Sequence, residues 1–474
     1  MSFNTFADAV RDTPNETRTT NGMKAFESTC RANVDLFGKF GASRGKDITQ
    51  LFERALIEDT DLAIRVALHG RDVRQGAGER KLFRDVLQYL EKSNPDLLTN
   101  TNLLRKIPEL GRWDDLLVFT TPEVKARAYS LIETALSEGN GLCAKWMPRK
   151  GSIARELREH MGYSPKRYRK TLVNLTKVVE TLMCNREFEA INFNHVPSLA
   201  MSRYTKAFKK HAPEHFDAWK AALKKGDPKI AKVNAGAVYP YDIVKTLRYG
   251  DSTVADAQWE ALPNYIGDAR VLPLVDVSGS MGCPAGGYGQ KGVTVSCLDV
   301  AVSLGMYCAS KNTGAFKDLF LTFSSTPEFV SLSGTLSQRY NQMSTSNWQM
   351  STDLQKALTK ILSVAVSKNV PQEEMPTALL IMSDMQFNSC RPDATAVGMI
   401  RKKYRDAGYE VPAIVFWNIN AHGNVPVTFD QTGTALVAGF SPSIMKSVLS
   451  ADLNNMTPEG IMFKTIMNDR YDFR

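Results

Sequence analysis

Residues 271–281 read Val-Leu-Pro-Leu-Val-Asp-Val-Ser-Gly-Ser-Met, and this stretch decides the fold. Five residues, Val271 to Val275, form an apolar run that stops on Asp276, after which Ser278 and Ser280 flank a glycine. A short continuous apolar run bounded by a turn is the pattern of a strand buried on both faces, as in a parallel sheet. Similar runs recur at Leu319–Phe323, Ala378–Met382 and Val411–Trp417, with a weaker one at Ala435–Ala438. Helices are expected between them, near 294–311, 352–367, 393–407 and 443–451. Residues 268–474 are therefore expected to form an α/β, doubly wound domain.

Upstream of that stretch the periodicity is helical. Ile48, Leu51, Phe52, Ala55 and Leu56 recur at the spacing of one helix face, as do Leu82, Phe83, Val86, Leu87 and Leu90. Leu131, Ile132, Ala135 and Leu136 make a third face, closed by Gly139 and Gly141. Leu172, Leu175, Val179 and Leu182 make a fourth, and no convincing strand precedes residue 268. The expected plan is a tail at 1–22, an α-helical domain of paired helices at 23–262, a connector from Trp259 to Gly267, and the α/β domain at 268–474.

Composition agrees with a multidomain globular chain. Its 474 residues are about three times the ~150 of one domain, with 43% hydrophobic and 23% charged residues. No apolar run reaches the roughly 18 residues that a membrane span needs. The N-terminus lacks the basic start and apolar core of a secretory signal. Seven cysteines, at 30, 143, 184, 283, 297, 308 and 390, contain no Cys-x-x-Cys pair. That pattern speaks against a disulfide framework or structural zinc, and a cytoplasmic protein away from membranes is expected.

The net charge of +9 is not spread evenly. Residues 1–140 carry −1 and residues 251–474 carry −3, whereas residues 141–250 carry +13. A concentrated positive block attracts polyanions, nucleic acid foremost. Within it Lys145, Arg149, Lys150, Lys166, Arg167, Arg169, Lys170, Arg203, Lys206 and Lys209 are interleaved with Trp146, Tyr163, Tyr168, Tyr204, Phe208 and Trp219. Cations hold phosphates while aromatic faces stack on unpaired bases, which suits single-stranded RNA. Most of these aromatics also fit the apolar faces of amphipathic helices.

The Asp276 loop points to a different chemistry. One carboxylate and two hydroxyls at the carboxyl end of a parallel strand are hard oxygen donors, suited to Mg²⁺ or another divalent cation. Thr352, in Met350-Ser-Thr-Asp-Leu354, adds a hydroxyl, and Asp384, ending Leu380-Ile-Met-Ser-Asp384, adds a second carboxylate. Asp276, Ser278, Ser280, Thr352 and Asp384, in this order on these elements, resemble the metal-ion-dependent adhesion site (MIDAS) of von Willebrand factor A domains. That resemblance implies a metal with one position left for an acidic group of a protein partner.

The helical half narrows the resemblance. Arg71-Asp-Val-Arg-Gln-Gly-Ala-Gly-Glu-Arg80 and Ile107-Pro-Glu-Leu-Gly-Arg-Trp-Asp-Asp115 resemble motifs of the Ro autoantigen (TROVE) family. Asp276-Val-Ser-Gly-Ser-Met281, Ser383-Asp-Met-Gln-Phe387, Phe416-Trp-Asn418 and Gly439-Phe-Ser441 are similar to a TROVE-like group from bacteria, phages and plants. The resemblance implies a monomeric ring of HEAT-like repeats closed by the A domain, a ribonucleoprotein that takes small structured, Y-like non-coding RNA and single-stranded RNA ends, without catalysis. Its rival is a scaffold that captures an acidic partner through the metal.

In the Arg71–Arg80 stretch, Gly76 and Gly78 permit a tight turn while Asp72 or Glu79 holds an arginine, so architecture outweighs RNA contact there. Three further patterns carry little. Gly287-Tyr-Gly-Gln-Lys-Gly292 is a formal Gly-x-Gly-x-x-Gly, but the Asp276 loop separates it from its strand. His211 and His215 have helical zinc spacing, yet Pro213 lies between them among cations, so an RNA-facing or solvated pair is the expectation. No Gly-x-Ser-x-Gly is present, and no histidine lies near a cysteine in sequence to suggest a nucleophile.

Overall fold

The structure is a computed structural model that describes residues 15–249, 252–285, 295–323, 326–346, 353–388 and 396–474. The chain divides into two compact units, neither of them contiguous. One joins Met1–Ala63 to Asn264–Ile466, and the other joins Ile64–Pro263 to Met467–Arg474. Among the described residues no helix is long and apolar enough to cross a membrane.

The first unit is built on the expected sheet. A small hairpin of β1 (Glu16–Arg18) and β2 (Lys24–Phe26) comes first in the chain. The sheet strands are β3 (Val271–Asp276), β4 (Leu319–Phe323), β5 (Phe329–Ser331), β6 (Ala378–Ser383), β7 (Ala413–Asn418) and β8 (Thr434–Ala438). The order is β5-β4-β3-β6-β7-β8, parallel throughout except for β5, which runs antiparallel to β4. Every residue of β3, β6 and β7 is buried, which is why these strands read as unbroken apolar runs. The chain leaves β3 toward β4 and returns to β6 on the other side of β3. The carboxyl ends of β3 and β6 thus flank the point where the strand order reverses, the place where open α/β sheets bind ligands.

The expected helices are present as Cys297–Lys311, Leu354–Ser367, Ala396–Asp406 and Met445–Leu449. Ser296 begins the first with a capping box, its hydroxyl accepting from Asp299 N and its own N–H donating to the Asp299 carboxylate. Strand β5 and the helices Leu336–Thr345 and Pro458–Ile466 were not anticipated.

The connector expected near 259–267 holds the division, at Pro263/Asn264. The tail expected at 1–22, the helical domain expected to begin at 23 and the α/β domain expected to run to 474 need correction. Residues 15–63 belong with the sheet, not with the helical domain or a free tail. Phe26 exchanges both backbone bonds with Val425, at 2.9 and 2.7 Å, and Thr19 Oγ1 donates to Phe387 O at 2.6 Å. Helix Ala32–Phe40 packs on β8 through small residues, so that a Cβ on Gly41 would meet Ala438 O at 2.7 Å. The hairpin also supplies two strands before residue 268, each too short for an alternating pattern to register. At the other end, Met467–Arg474 belongs with the helical unit.

The second unit is helical, running through Arg80–Ser93, Leu103–Leu110, Pro122–Ser137, Gly141–Trp146, Ser152–His160, Pro165–Leu175, Ser198–His211, Pro213–Lys224, Pro240–Tyr249 and Ser252–Glu260. The face expected from Leu172 to Leu182 is two helices, because the chain breaks at Thr176. There the hydroxyl turns back to Leu172 O at 2.6 Å beside two β-branched valines, which competes with helix propagation.

The two motifs of the helical half meet in a buried charge network. Arg71, 1% exposed, pairs with fully buried Asp115 through Nε at 2.8 Å and Nη2 at 2.7 Å. Arg84 reaches the other Asp115 oxygen at 2.7 Å. Asp72, also fully buried, takes both Arg470 Nε and Nη2, at 2.5 and 2.8 Å, and the Tyr471 hydroxyl at 3.0 Å. Gly76 is required by contact, since a Cβ there would come within 1.9 Å of His69 O. Arg71 and Asp72 are therefore framework residues, and the side chains they pair with lie outside the motif. Asp115 of the second motif holds Arg71, and Asp72 holds the chain's C-terminal segment.

Candidate metal centre and basic surface

Strand β3 delivers Asp276 fully buried at the sheet's carboxyl edge. Its Oδ1 accepts from Ser278 N at 2.9 Å and its Oδ2 from Ser383 Oγ at 2.5 Å. Ser278 and Ser280, half-buried and exposed, bring their hydroxyl oxygens to 3.0 Å of each other. From the end of β6, Asp384 is also fully buried, with Oδ1 accepting from Gln386 N at 3.2 Å. Asp384 Oδ2 accepts no hydrogen bond among the described residues, and His422 Nε2 stands 3.5 Å from it.

Burial pushes the Asp276 carboxyl up to about 6, and the Asp384 charge adds to this. Two buried carboxylates crowded together, one oxygen with no hydrogen-bond donor among the described residues, and two hydroxyls at the rim make a donor set that fits a hard divalent cation. Among the described residues no three His, Cys, Asp or Glu side chains converge as ligands. The set is two carboxylates plus hydroxyls, in keeping with oxygen-rich coordination rather than a zinc site. Thr352 and the Gly287–Gly292 loop lie outside the described residues.

Sequence reasoning missed the residues around this pair. Ser383 stood out only as part of a motif, yet its hydroxyl orients Asp276 and accepts from Met385 N at 3.0 Å. Met385 takes a positive φ of 65°, a turn that sends the chain away directly after Asp384. Lys46, from the N-terminal segment, donates to Asn420 Oδ1 at 2.8 Å and to Ala421 O. Burial lowers its pKa. Lys46 carries no local signal. His422 and Asn420 follow β7, so their position at the same sheet edge was the one available clue.

The basic surface lies in the helical unit. Lys166, Arg167, Arg169 and Lys170 are exposed on helix Pro165–Leu175, whose N-cap Ser164 accepts from Arg167 N. Arg203, Lys206 and Lys209 are exposed on helix Ser198–His211, at the three-residue spacing of one face. Arg149 and Lys150 are exposed and Lys145 is half-buried. Glu180 ties two of these regions, 3.7 Å from Lys145 Nζ and 3.2 Å from the Tyr204 hydroxyl, while Arg149 reaches Thr176 Oγ1 at 3.3 Å.

The aromatics sort as amphipathic helices require. Tyr168, Phe208 and Trp219 are buried, with the Tyr168 hydroxyl on Pro148 O and Trp219 Nε1 on Asn194 Oδ1. Trp146, Tyr163 and Tyr204 are half-buried. Arg112 lies 3.3 Å over the Trp146 ring and Arg167 lies 3.9 Å over Tyr163. His211 stacks on Phe188 at 4.7 Å and His215 Nε2 meets Ile191 O at 2.9 Å, so each is held separately and they do not make a paired site.

Comparisons with known proteins cover both halves. A family model described as a domain of unknown function (DUF2828) matches residues 19–120 and 148–269. A second, also described as a domain of unknown function (DUF7788), matches residues 270–469. The chain is 26% identical to Uncharacterized protein L728 of Acanthamoeba polyphaga mimivirus over 500 residues, covering 92% of this chain and 84% of the relative. Among solved structures, the crystal structure of the Deinococcus radiodurans RO (RSR) protein superposes with a TM-score of 0.50 at 15% identity, covering 92% of this chain and 99% of that one. The fold is Ro-like. This bears out the expected succession of a helical half and an α/β half.

Proposed function

We propose that this protein is a non-catalytic, cytoplasmic RNA-binding protein that takes small structured non-coding RNA and single-stranded RNA ends on the basic surface of its helical unit. The observation that carries this reading is the location of charge. A net +13 is confined to residues 141–250, and nine of its ten singled-out cations are exposed side chains, on helices Pro165–Leu175 and Ser198–His211 and in the 149–150 turn. Phosphates are met by such sets collectively, and half-buried Tyr163 and Tyr204 beside them offer ring edges and faces to unpaired bases. The likeness to the fold of a Ro protein supports the same reading.

In this proposal Asp276, Ser278, Ser280, Thr352 and Asp384 hold Mg²⁺ or another divalent cation. The ion would supply a positive centre for an acidic group of a second protein. Asp276 and Asp384 bind, Ser383 orients Asp276, and the hydroxyls of Ser278 and Ser280 complete the exposed side. A scaffold that captures an acidic protein through the metal, without RNA, is the second reading; it draws on the buried Asp384 oxygen that accepts no hydrogen bond among the described residues.

Purification from the native host at moderate salt, followed by sequencing of bound nucleic acid, separates the two. A discrete small RNA is the expected result. A preparation free of RNA, with a stoichiometric protein released by chelating the metal, would replace the RNA reading with the scaffold.

A further inference from the structure

Three residues beyond Ser280, the chain pairs with the approach to helix Cys297–Lys311. Ala285 N donates to Val295 O at 2.8 Å, Cys297 N donates to Cys283 O at 3.0 Å, and Pro284 lies opposite Ser296. This antiparallel register sets Cys283 across from Cys297, and their sulfurs are 3.4 Å apart. Opposed residues on such a ladder have Cα atoms about 5 Å apart, within the span that a disulfide bridges without backbone movement. Both thiols are free.

The two sulfurs sit in unlike surroundings. Cys283 is half-buried and within reach of a small solute, whereas Cys297 is 2% exposed. Asn420 Nδ2 lies 3.4 Å from the Cys283 sulfur, and the same amide's oxygen accepts from Lys46 Nζ at 2.8 Å. An accessible sulfur with nearby donors and a buried partner in contact is the arrangement of an attacking and a resolving cysteine.

We propose that Cys283 and Cys297 are a peroxide-responsive dithiol that closes to a disulfide at the exit of the hydroxyl-bearing loop. The Cys283 sulfur attacks the near oxygen of a hydroperoxide. An S–O bond forms, the O–O bond breaks, and the leaving alkoxide or hydroxide takes the thiol proton, giving a sulfenic acid. The Cys297 sulfur then attacks the Cys283 sulfur. The S–S bond forms, the S–O bond breaks, and hydroxide departs as water with the Cys297 proton. Two thiols are oxidised by two electrons and one peroxide is reduced to an alcohol, or to water, with a second water released. A dithiol reductant reverses the change by exchange. The crosslink ties the third residue beyond Ser280 to the first residue of helix Cys297–Lys311, and it forms whether or not a metal is bound.

The test uses the full-length protein, reduced and freed of reductant, then exposed to graded hydrogen peroxide. Thiols are counted with a maleimide under denaturing conditions, and peptides are mapped by mass spectrometry without reduction. The expected result is loss of two of the seven thiols together, a single crosslink between the Cys283 and Cys297 peptides, and full recovery with dithiothreitol. Cys283→Ser keeps all its remaining thiols at the same dose. Cys297→Ala stops at a sulfenic acid on Cys283 that dimedone traps. Should Cys297→Ala fail to fold, the wild-type map and Cys283→Ser decide the matter. All seven thiols surviving, a crosslink between other cysteines, or sulfinic Cys283 beside reduced Cys297 in the wild type would each overturn the proposal.

Discussion

The helical unit uses arginine in two opposite ways. Arg71 is 1% exposed and faces a carboxylate that is itself fully buried, whereas Arg169 and Arg203 are exposed on their helices. The buried arginine is tied to one partner by geometry, and neither member of the pair has water to fall back on. In the proposed function the exposed ones act by summed charge rather than through one fixed ion pair. The same residue type is thus framework in one region and an interchangeable part of a surface in the other.

The largest expected effect tests the framework side. Asp115→Ala leaves the Arg71 guanidinium buried without its partner and strips Arg84 of one, at a cost of roughly 3–5 kcal/mol. Urea unfolding followed by circular dichroism measures it. A loss below about 1 kcal/mol would show that water or another acceptor reaches Arg71, and the contrast between the two regions would collapse.

The surface side is tested by replacing Lys166, Arg167, Arg169 and Lys170 together with alanine. Exposed positions on a helix cost little, so unfolding should shift by less than about 1 kcal/mol. RNA affinity should fall. The slope of log affinity against log salt should become shallower by roughly 3, because each phosphate neutralised on a single strand accounts for about 0.7. An unchanged slope would remove these four residues from the interface.

Acid sharpens the comparison through His69, a buried neighbour of the framework whose ring meets Tyr471 edge to face at 5.7 Å. Burial lowers its pKa to about 4. The folded state therefore prefers the neutral ring. The stability this reflects is present above the unfolded value of about 6.5 and is lost as pH falls toward 4. Between pH 6.5 and 5 the loss is about 2 kcal/mol, and His69→Gln should flatten that part of the profile. An equally steep profile in the variant would assign the acid sensitivity elsewhere.

These contrasts also explain what could be read in advance. The strands β3, β6 and β7 were legible because burial on both faces leaves an apolar run, and Asp276 and Asp384 because each ends such a run. The basic surface was legible only as net charge. Solvent imposes no spacing on Lys166 or Arg203, so nothing in the sequence says which cation meets a phosphate. The partition into two units was not legible. Phe26 with Val425, and Asp72 with Arg470, join residues about 400 apart through backbone bonds and salt bridges that leave no periodicity. Lys46, beside the candidate metal site, was hidden for the same reason.

The smallest expected effect is the one that separates the two units functionally. Asp276→Ala removes a carboxylate on which the donor set depends, so Mg²⁺ or Mn²⁺ binding measured by calorimetry should disappear. The folded state should survive, because the substitution also relieves the crowding of two buried carboxylates and frees Ser383 to turn to another acceptor. RNA affinity should change by less than about twofold, since the +13 block and its exposed cations lie in the other unit. A large loss of RNA affinity with the fold preserved would mean that metal and RNA are read by one site, and the division of labour between the units would have to be abandoned.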